Sequence, residues 1–143
     1  MKVYLDNAAT TPLSSSVKDY VVSLLDCFYN PSSTYDDGKK SKRIIEEARS
    51  NVAKFINADS DEIIFTSGGS ASNTLAIKGC YEENNCFVFY SSIAHKSMLK
   101  CAEATYGSQK IYVDKDGKIY TFILEDMLKY CDTKPFVVID YAN

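Results

Sequence analysis

The sequence contains one histidine, five cysteines without a C-x-x-C pair, and no apolar run of membrane-spanning length. Each shortage narrows what the chain can do. Metal centres draw on closely spaced histidine and cysteine ligands, so a lone His95 and scattered thiols argue against one. Cys27, Cys80, Cys86, Cys101 and Cys131 are odd in number and are expected to be free thiols of a reducing compartment. A bilayer core takes about 20 consecutive apolar residues, and without such a run no membrane partner is expected. The N-terminus lacks an apolar signal core, so a cytoplasmic location is expected. Positive charge is not in excess either. Sixteen basic and 19 acidic residues leave a net charge of −3, which argues against nucleic acid as a partner. The one basic cluster, Lys39-Lys40-Ser41-Lys42-Arg43, reads as a solvated helix face. Asp114-Lys115-Asp116-Gly117 lacks the remaining ligands of a calcium loop and reads as a turn.

What is present is an ordinary globular composition, 45% hydrophobic and 24% charged, over 143 residues; that suffices for one domain with a buried core. Residues 3–5 can form a short strand. Val17, Val21, Leu24, Leu25 and Phe28 recur at helical spacing behind the N-cap candidates Ser14 to Ser16, and Asn30-Pro31 stops that helix. Ile44, Ile45, Ala48, Val52, Phe55 and Ile56 form the apolar stripe of a second helix over residues 38–57. Glu62 to Thr66 reads as a strand, followed by a glycine turn and a helix from Ser70 to Tyr81. Then come a strand over Phe87 to Ser91, a helix over Lys96 to Thr105, and a strand over Lys110 to Val113. Asp116-Gly117 makes a turn, Thr121 caps a helix running to Tyr130, and Phe136 to Tyr141 is a last apolar strand. This alternation predicts an α/β fold with a parallel sheet and helices on both faces. Ligands of such sheets sit at the carboxyl ends of the strands, where the Ser67–Ser70 turn and the Ser91–His95 loop both belong.

Two places can carry chemistry. At Ser67-Gly68-Gly69-Ser70 the glycines let the backbone approach an anion with no Cβ in the way, and Ser70 adds a hydroxyl to the N–H groups of a starting helix. A plain N-cap uses the same residue types with no ligand at all. His95 follows a strand and stands near a helix start, where a neutral ring could stack on an aromatic cofactor and move a proton. It could equally be a histidine that only caps or packs. Asn30-Pro31-Ser32-Ser33 is a helix stop and specifies no chemistry by spacing.

Taken in order, these pieces resemble the cysteine desulfurases of the class V aminotransferase group. The resemblance runs through Tyr4–Pro12, Asn30-Pro31-Ser32-Ser33 with Gly38, Glu62–Ser70 continued by Asn73, Leu75, Ala76, Lys78 and Gly79, then Ser91–Leu99, and finally Asp114–Gly117 with Phe136–Asn143. It implies the N-terminal part of a pyridoxal-phosphate-dependent transferase of fold type I (aspartate aminotransferase-like), with an incomplete sheet. Residues 1–13 would be an N-terminal arm and 14–143 a partial cofactor-binding large domain. Gly69 and Ser70 would hold the phosphate of pyridoxal 5'-phosphate, and His95 would stack on its ring and assist proton transfer. Cysteine would be the family substrate, yielding alanine and an enzyme persulfide, and family members act as homodimers.

The chain departs from the family pattern at Ser70 (usually threonine), at Ala71 and Ala94 (usually glutamate) and at Tyr35 (usually histidine). Asn143 matches the first of a paired Asn-Asn. The Schiff-base lysine, the aspartate for the ring nitrogen, the substrate-binding arginine and the nucleophilic cysteine have no counterparts here. The polypeptide alone is therefore expected to be inactive, with open strand edges that favour a dimer or self-association. A non-catalytic relative serving dimerisation or partner binding, and a piece of a selenocysteine lyase or other class V enzyme, are the alternative readings.

Overall fold

A computed structural model describes residues 3–140. The chain forms two compact units, divided between Ile64 and Phe65.

The first unit is helical. Its first helix, α1, covers Ser15–Leu24, and Ser14 caps it by accepting the Val17 N–H. The helix ends well before the predicted stop at Asn30-Pro31: Leu25 closes it, and Cys27 turns toward Ser41, with Sγ and Oγ 3.3 Å apart. The second helix, α2, covers Asp36–Ile56 and ends on Asn57 in the left-handed region at φ 57°. Asparagine tolerates that conformation and frees the helix to stop there. Most of the predicted apolar stripe of α2 stays uncovered, Phe55 being 91% exposed, while Ala53 is buried. Lys39, Lys40, Lys42 and Arg43 are exposed, as a solvated face requires.

Gly38 explains one spacing in the sequence. A Cβ there would stand 2.8 Å from the Asn30 carbonyl oxygen, 2.8 Å from Ser33 Cβ and 2.9 Å from the Ser33 carbonyl oxygen. The Asn30–Ser33 turn lies directly on α2, and is itself tied by Asn30 Oδ1 accepting the Ser32 N–H at 2.9 Å. Glycine at residue 38 is what permits that approach.

Two predicted strands are not formed. Residues 3–5 are irregular, and Leu5 is 86% exposed. The Glu62–Thr66 stretch opens instead as a 3-10 turn over Ser60–Glu62, closed by the Glu62 carboxylate accepting the Asp59 N–H at 2.8 Å. It continues without joining a sheet. A parallel strand has no bonds of its own to make; it exists only where a neighbour offers a ladder, and no sheet neighbour lies along this segment among the described residues.

The second unit carries the sheet. Helix α3 covers Gly69–Asn84, strand β1 Phe87–Ser91, helix α4 Lys96–Glu103, strand β2 Ser108–Ile111, helix α5 Thr121–Lys129 and strand β3 Pro135–Val138. The strand order is β2-β1-β3, both pairings parallel, with Val88 opposite Ser108 and Phe136. Parallel neighbours need crossover connections, which α4 and α5 supply. Strand β2 begins two residues before the predicted Lys110, because its register with β1 recruits the polar Ser108 and Gln109. Val113 lies beyond it, in an isolated antiparallel bridge with Ile119. Thr121 is the first residue of α5 and not its cap; Tyr120 holds that position without a side-chain bond. Strand β3 ends at Val138, and Tyr141 and Asn143 lie outside the described residues.

The core forms on the central strand. Val88 and Tyr90 pack with Ile77 of α3, Cys101 and Ala102 of α4, and Val138 of β3. Phe89, on the opposite face, is 2% exposed. Burying each such side chain contributes about 1.5–3 kcal/mol. An open cavity of about 550 Å³ is lined by Phe87 and Phe89 of β1, Met127 of α5 and Tyr130 just past that helix. Among the described residues no helix is long and apolar enough to cross a membrane.

Candidate functional site

The first turn of α3 is built from small residues for a physical reason. Gly68 sits at φ 154°, a conformation rarely adopted by residues with a Cβ, and so lets the chain turn abruptly into the helix. Three hydroxyl contacts tie the turn: Thr66 Oγ1 lies 2.7 Å from Ser72 Oγ and donates to the Gly68 carbonyl at 3.1 Å, while Ser72 Oγ reaches the same carbonyl at 3.4 Å. The first intrahelical bond runs from the Ser72 N–H to the Gly68 carbonyl. The N–H groups of Gly69, Ser70 and Ala71 precede it and have no acceptor among the described residues, as at any helix start. A Cβ on Gly68 or Gly69 would meet nothing within 4 Å. Residues 68–70 are exposed. Open donors, an exposed serine hydroxyl and the positive end of a helix dipole converge where an anion can enter.

His95 caps α4. Its Nδ1 accepts the Ser97 N–H at 3.2 Å and lies 2.8 Å from Ser97 Oγ. Ser97 Oγ in turn accepts from Asn73 Nδ2 at 2.9 Å. Because the Ser97 N–H points at Nδ1, that nitrogen serves as an acceptor, and a neutral ring in this geometry carries its proton on Nε2. Asn73 stands one helical turn beyond Gly69, so a chain of two hydrogen bonds joins the opening of α3 to the imidazole. Ser70 and Ser97 also line one open groove of about 380 Å³ between α3 and α4, together with Lys78 and Lys100.

The loop bearing His95 follows the carboxyl end of β1, as expected of a ligand edge. Its backbone is held from the neighbouring strand: the His95 N–H donates to Asp140 Oδ2 at 2.6 Å, just past β3, and the Ser92 N–H donates to the Ile111 carbonyl at 2.8 Å. Ala94 is 3% exposed. A glutamate in that buried place would need a partner for its charge, which alanine does not. The Ser67–Ser70 turn, by contrast, follows no strand of this sheet; it reaches the neighbourhood of His95 through helix packing.

Sequence reasoning singled out Gly69, Ser70 and His95, and noted Asn73 only as part of a pattern. It missed Ser97 and Asp140. Ser97 could have been found as a hydroxyl two residues after a helix-starting histidine. Asp140 could have been found as an acid at the end of a buried strand.

A family model described as Aminotransferase class-V matches residues 3–141. The chain belongs to that family. Among similar class-V proteins is a "Cysteine desulfurase IscS" of Dictyoglomus turgidum, 39% identical over 99% of this chain and 37% of its own length. A mitochondrial cysteine desulfurase of Saccharomyces cerevisiae is 36% identical over 89% of this chain and 27% of its own. A selenocysteine lyase of Bos taurus is 46% identical over 54% of this chain and 18% of its own. The crystal structure of a NifS-like protein from Rickettsia africae superposes with a TM-score of 0.85 at 31% identity, over 95% of this chain and 39% of that one. The chain thus spans less than two fifths of the length of these relatives. Its α/β architecture is that of the class-V, fold type I proteins.

Proposed function

We propose that this chain supplies the phosphate cradle and the ring-facing histidine of a pyridoxal-phosphate-dependent cysteine desulfurase. The observation that carries the reading is the union of two helix starts. The open N–H groups at Gly69 and Ser70 stand one turn from Asn73, and Asn73 is linked through Ser97 to His95. The donor set fits a phosphate ester: backbone N–H groups, a hydroxyl and a helix dipole, on residues that are exposed. Gly69 and Ser70 would hold the phosphate. His95, its Nδ1 engaged by Ser97, would present Nε2–H toward the ring. When bound, the cofactor supplies an electron sink for carbanion chemistry.

Residues 1–13 would act as an arm and the remainder as part of the large domain, in a homodimer whose substrate is cysteine. The selenocysteine lyase similarity favours a second reading in the same family, in which the same cradle serves selenocysteine. The 143-residue polypeptide holds the cradle but no residue matched to the Schiff-base lysine or the nucleophilic cysteine. Incubated with pyridoxal phosphate and cysteine, it is expected to release no sulfide above the cofactor-only control. Sulfide release in proportion to protein concentration would overturn that expectation.

A further inference from the structure

Away from the cradle, at the far end of α3, two thiols face each other. Cys86 Sγ lies 3.6 Å from Cys80 Sγ. The chain brings them together by a sharp reversal: α3 ends at Asn84, and Asn85 adopts the left-handed conformation at φ 46°, ψ 44°, turning residue 86 back toward the helix. Asn84 Nδ2 donates to the Cys80 carbonyl at 3.3 Å and steadies the last turn. Cys86 is 3% exposed and belongs to the core against β1, whereas Cys80 is half-buried and reaches solvent. Burial, followed by the Cys80 sulfur beside it, holds the Cys86 thiol above its ordinary range; of the two sulfurs Cys80 is the one open to solvent, so an oxidant meets it first. The remaining thiols are placed differently: Cys27 on Ser41, Cys131 on the Thr133 carbonyl, and Cys101 within the core.

We propose that Cys80 and Cys86 form a reversible oxidation site that closes into a disulfide when hydrogen peroxide reaches Cys80. In the first step the Cys80 thiolate attacks the peroxide, takes one oxygen as sulfenic acid and releases one water after protonation. In the second the Cys86 sulfur attacks Cys80 Sγ, expelling hydroxide, which leaves as a second water with the Cys86 proton. Two thiols lose two electrons and two protons, and one peroxide becomes two waters. Bond formation brings the two sulfurs from 3.6 Å to about 2.05 Å. The bridge would pin the end of α3 to the start of the central strand. Closing a ring this short favours the folded state by roughly fifty-fold. The site does not depend on the cofactor reading.

The first measurement uses the unsubstituted chain. The reduced protein is titrated with hydrogen peroxide and its mass, free thiols and peptides are followed. The expected result is a loss of two hydrogens, three free thiols out of five, and cleavage products separated at Glu82 or Glu83 that stay joined until a dithiol reductant is added. The oxidised form should resist denaturation more than the reduced one, and Cys80→Ser should abolish both changes. Cys80 proceeding to sulfinic acid while Cys86 stays free, or a bridge that recruits Cys101, would overturn the proposal.

Discussion

Adding one methyl group should have opposite effects at two helical glycines. At Gly38 the new Cβ would meet three atoms closer than 3.0 Å, two of them backbone carbonyl oxygens of Asn30 and Ser33. Neither oxygen can rotate away, because the turn that holds them is fixed by the Ser32 and Ser33 N–H groups bonding back to Asn30. Overpacking of this kind costs about 1–3 kcal/mol. Alanine returns at most about 1 kcal/mol of helix propensity. With three such contacts, two of them to backbone, the cost falls in the upper part of that range, about 2–3 kcal/mol, and Gly38→Ala should therefore destabilise the first unit by about 1–2 kcal/mol. At Gly79, inside α3, a Cβ meets nothing within 4 Å. Gly79→Ala should stabilise by about 0.5–1 kcal/mol. Urea denaturation followed by circular dichroism reads both, and units of this size shift Tm by about 4–8 °C per kcal/mol. If Gly38→Ala matched or exceeded the stability of the parent chain, the close seating of the Asn30–Ser33 turn on α2 would be wrong.

Two further predictions concern polar contacts. Ser97→Ala removes the hydroxyl that links Asn73 to His95 Nδ1 but leaves the residue-97 backbone N–H on that nitrogen; nitrogen NMR of the labelled ring should then show a shifted Nδ1 resonance with the Nε2–H tautomer retained, while the fold persists by circular dichroism. An unchanged Nδ1 resonance would mean that the Ser97 hydroxyl does not bond the ring. Lys110 is held above its ordinary 10.5 by its hydrogen bond and ion pair with Glu103, at 3.1 Å. Because that folded-state value is raised, the pair's contribution is present at neutral pH and disappears as pH rises through the Lys110 titration. Glu103→Gln should lower that titration, as measured by NMR at Nζ.

The sequence made some elements legible and hid others for definite reasons. Phe87–Ser91 was readable because a strand covered on both faces is apolar throughout, and Ser14 was readable because a cap acts through its own side chain. The strand expected at Glu62–Thr66 failed because pairing partners are a property of the sheet and not of the segment. The ends of α1 and β2 moved for the same reason: the Cys27–Ser41 contact and the β1 register are set by residues distant in the chain. At the site, Gly69, Ser70 and His95 stood out by residue type. Ser97 and Asp140 did not, because Asp140 lies 45 residues from the backbone N–H that it accepts. Fold class and family were accessible from the order of short motifs, whereas the hydrogen bonds that fix the histidine needed coordinates.

The most direct test is phosphorus NMR of pyridoxal 5'-phosphate titrated into the purified chain, with pyridoxal as the phosphate-free control. A saturable shift of the phosphate resonance is predicted, competed by inorganic phosphate and weakened about ten-fold or more by Ser70→Ala, since a hydrogen bond to a charged group contributes about 1.5–3 kcal/mol. Pyridoxal should bind far more weakly. Equal binding of the two compounds, or indifference to Ser70→Ala, would contradict the claim that the start of α3 is a phosphate cradle.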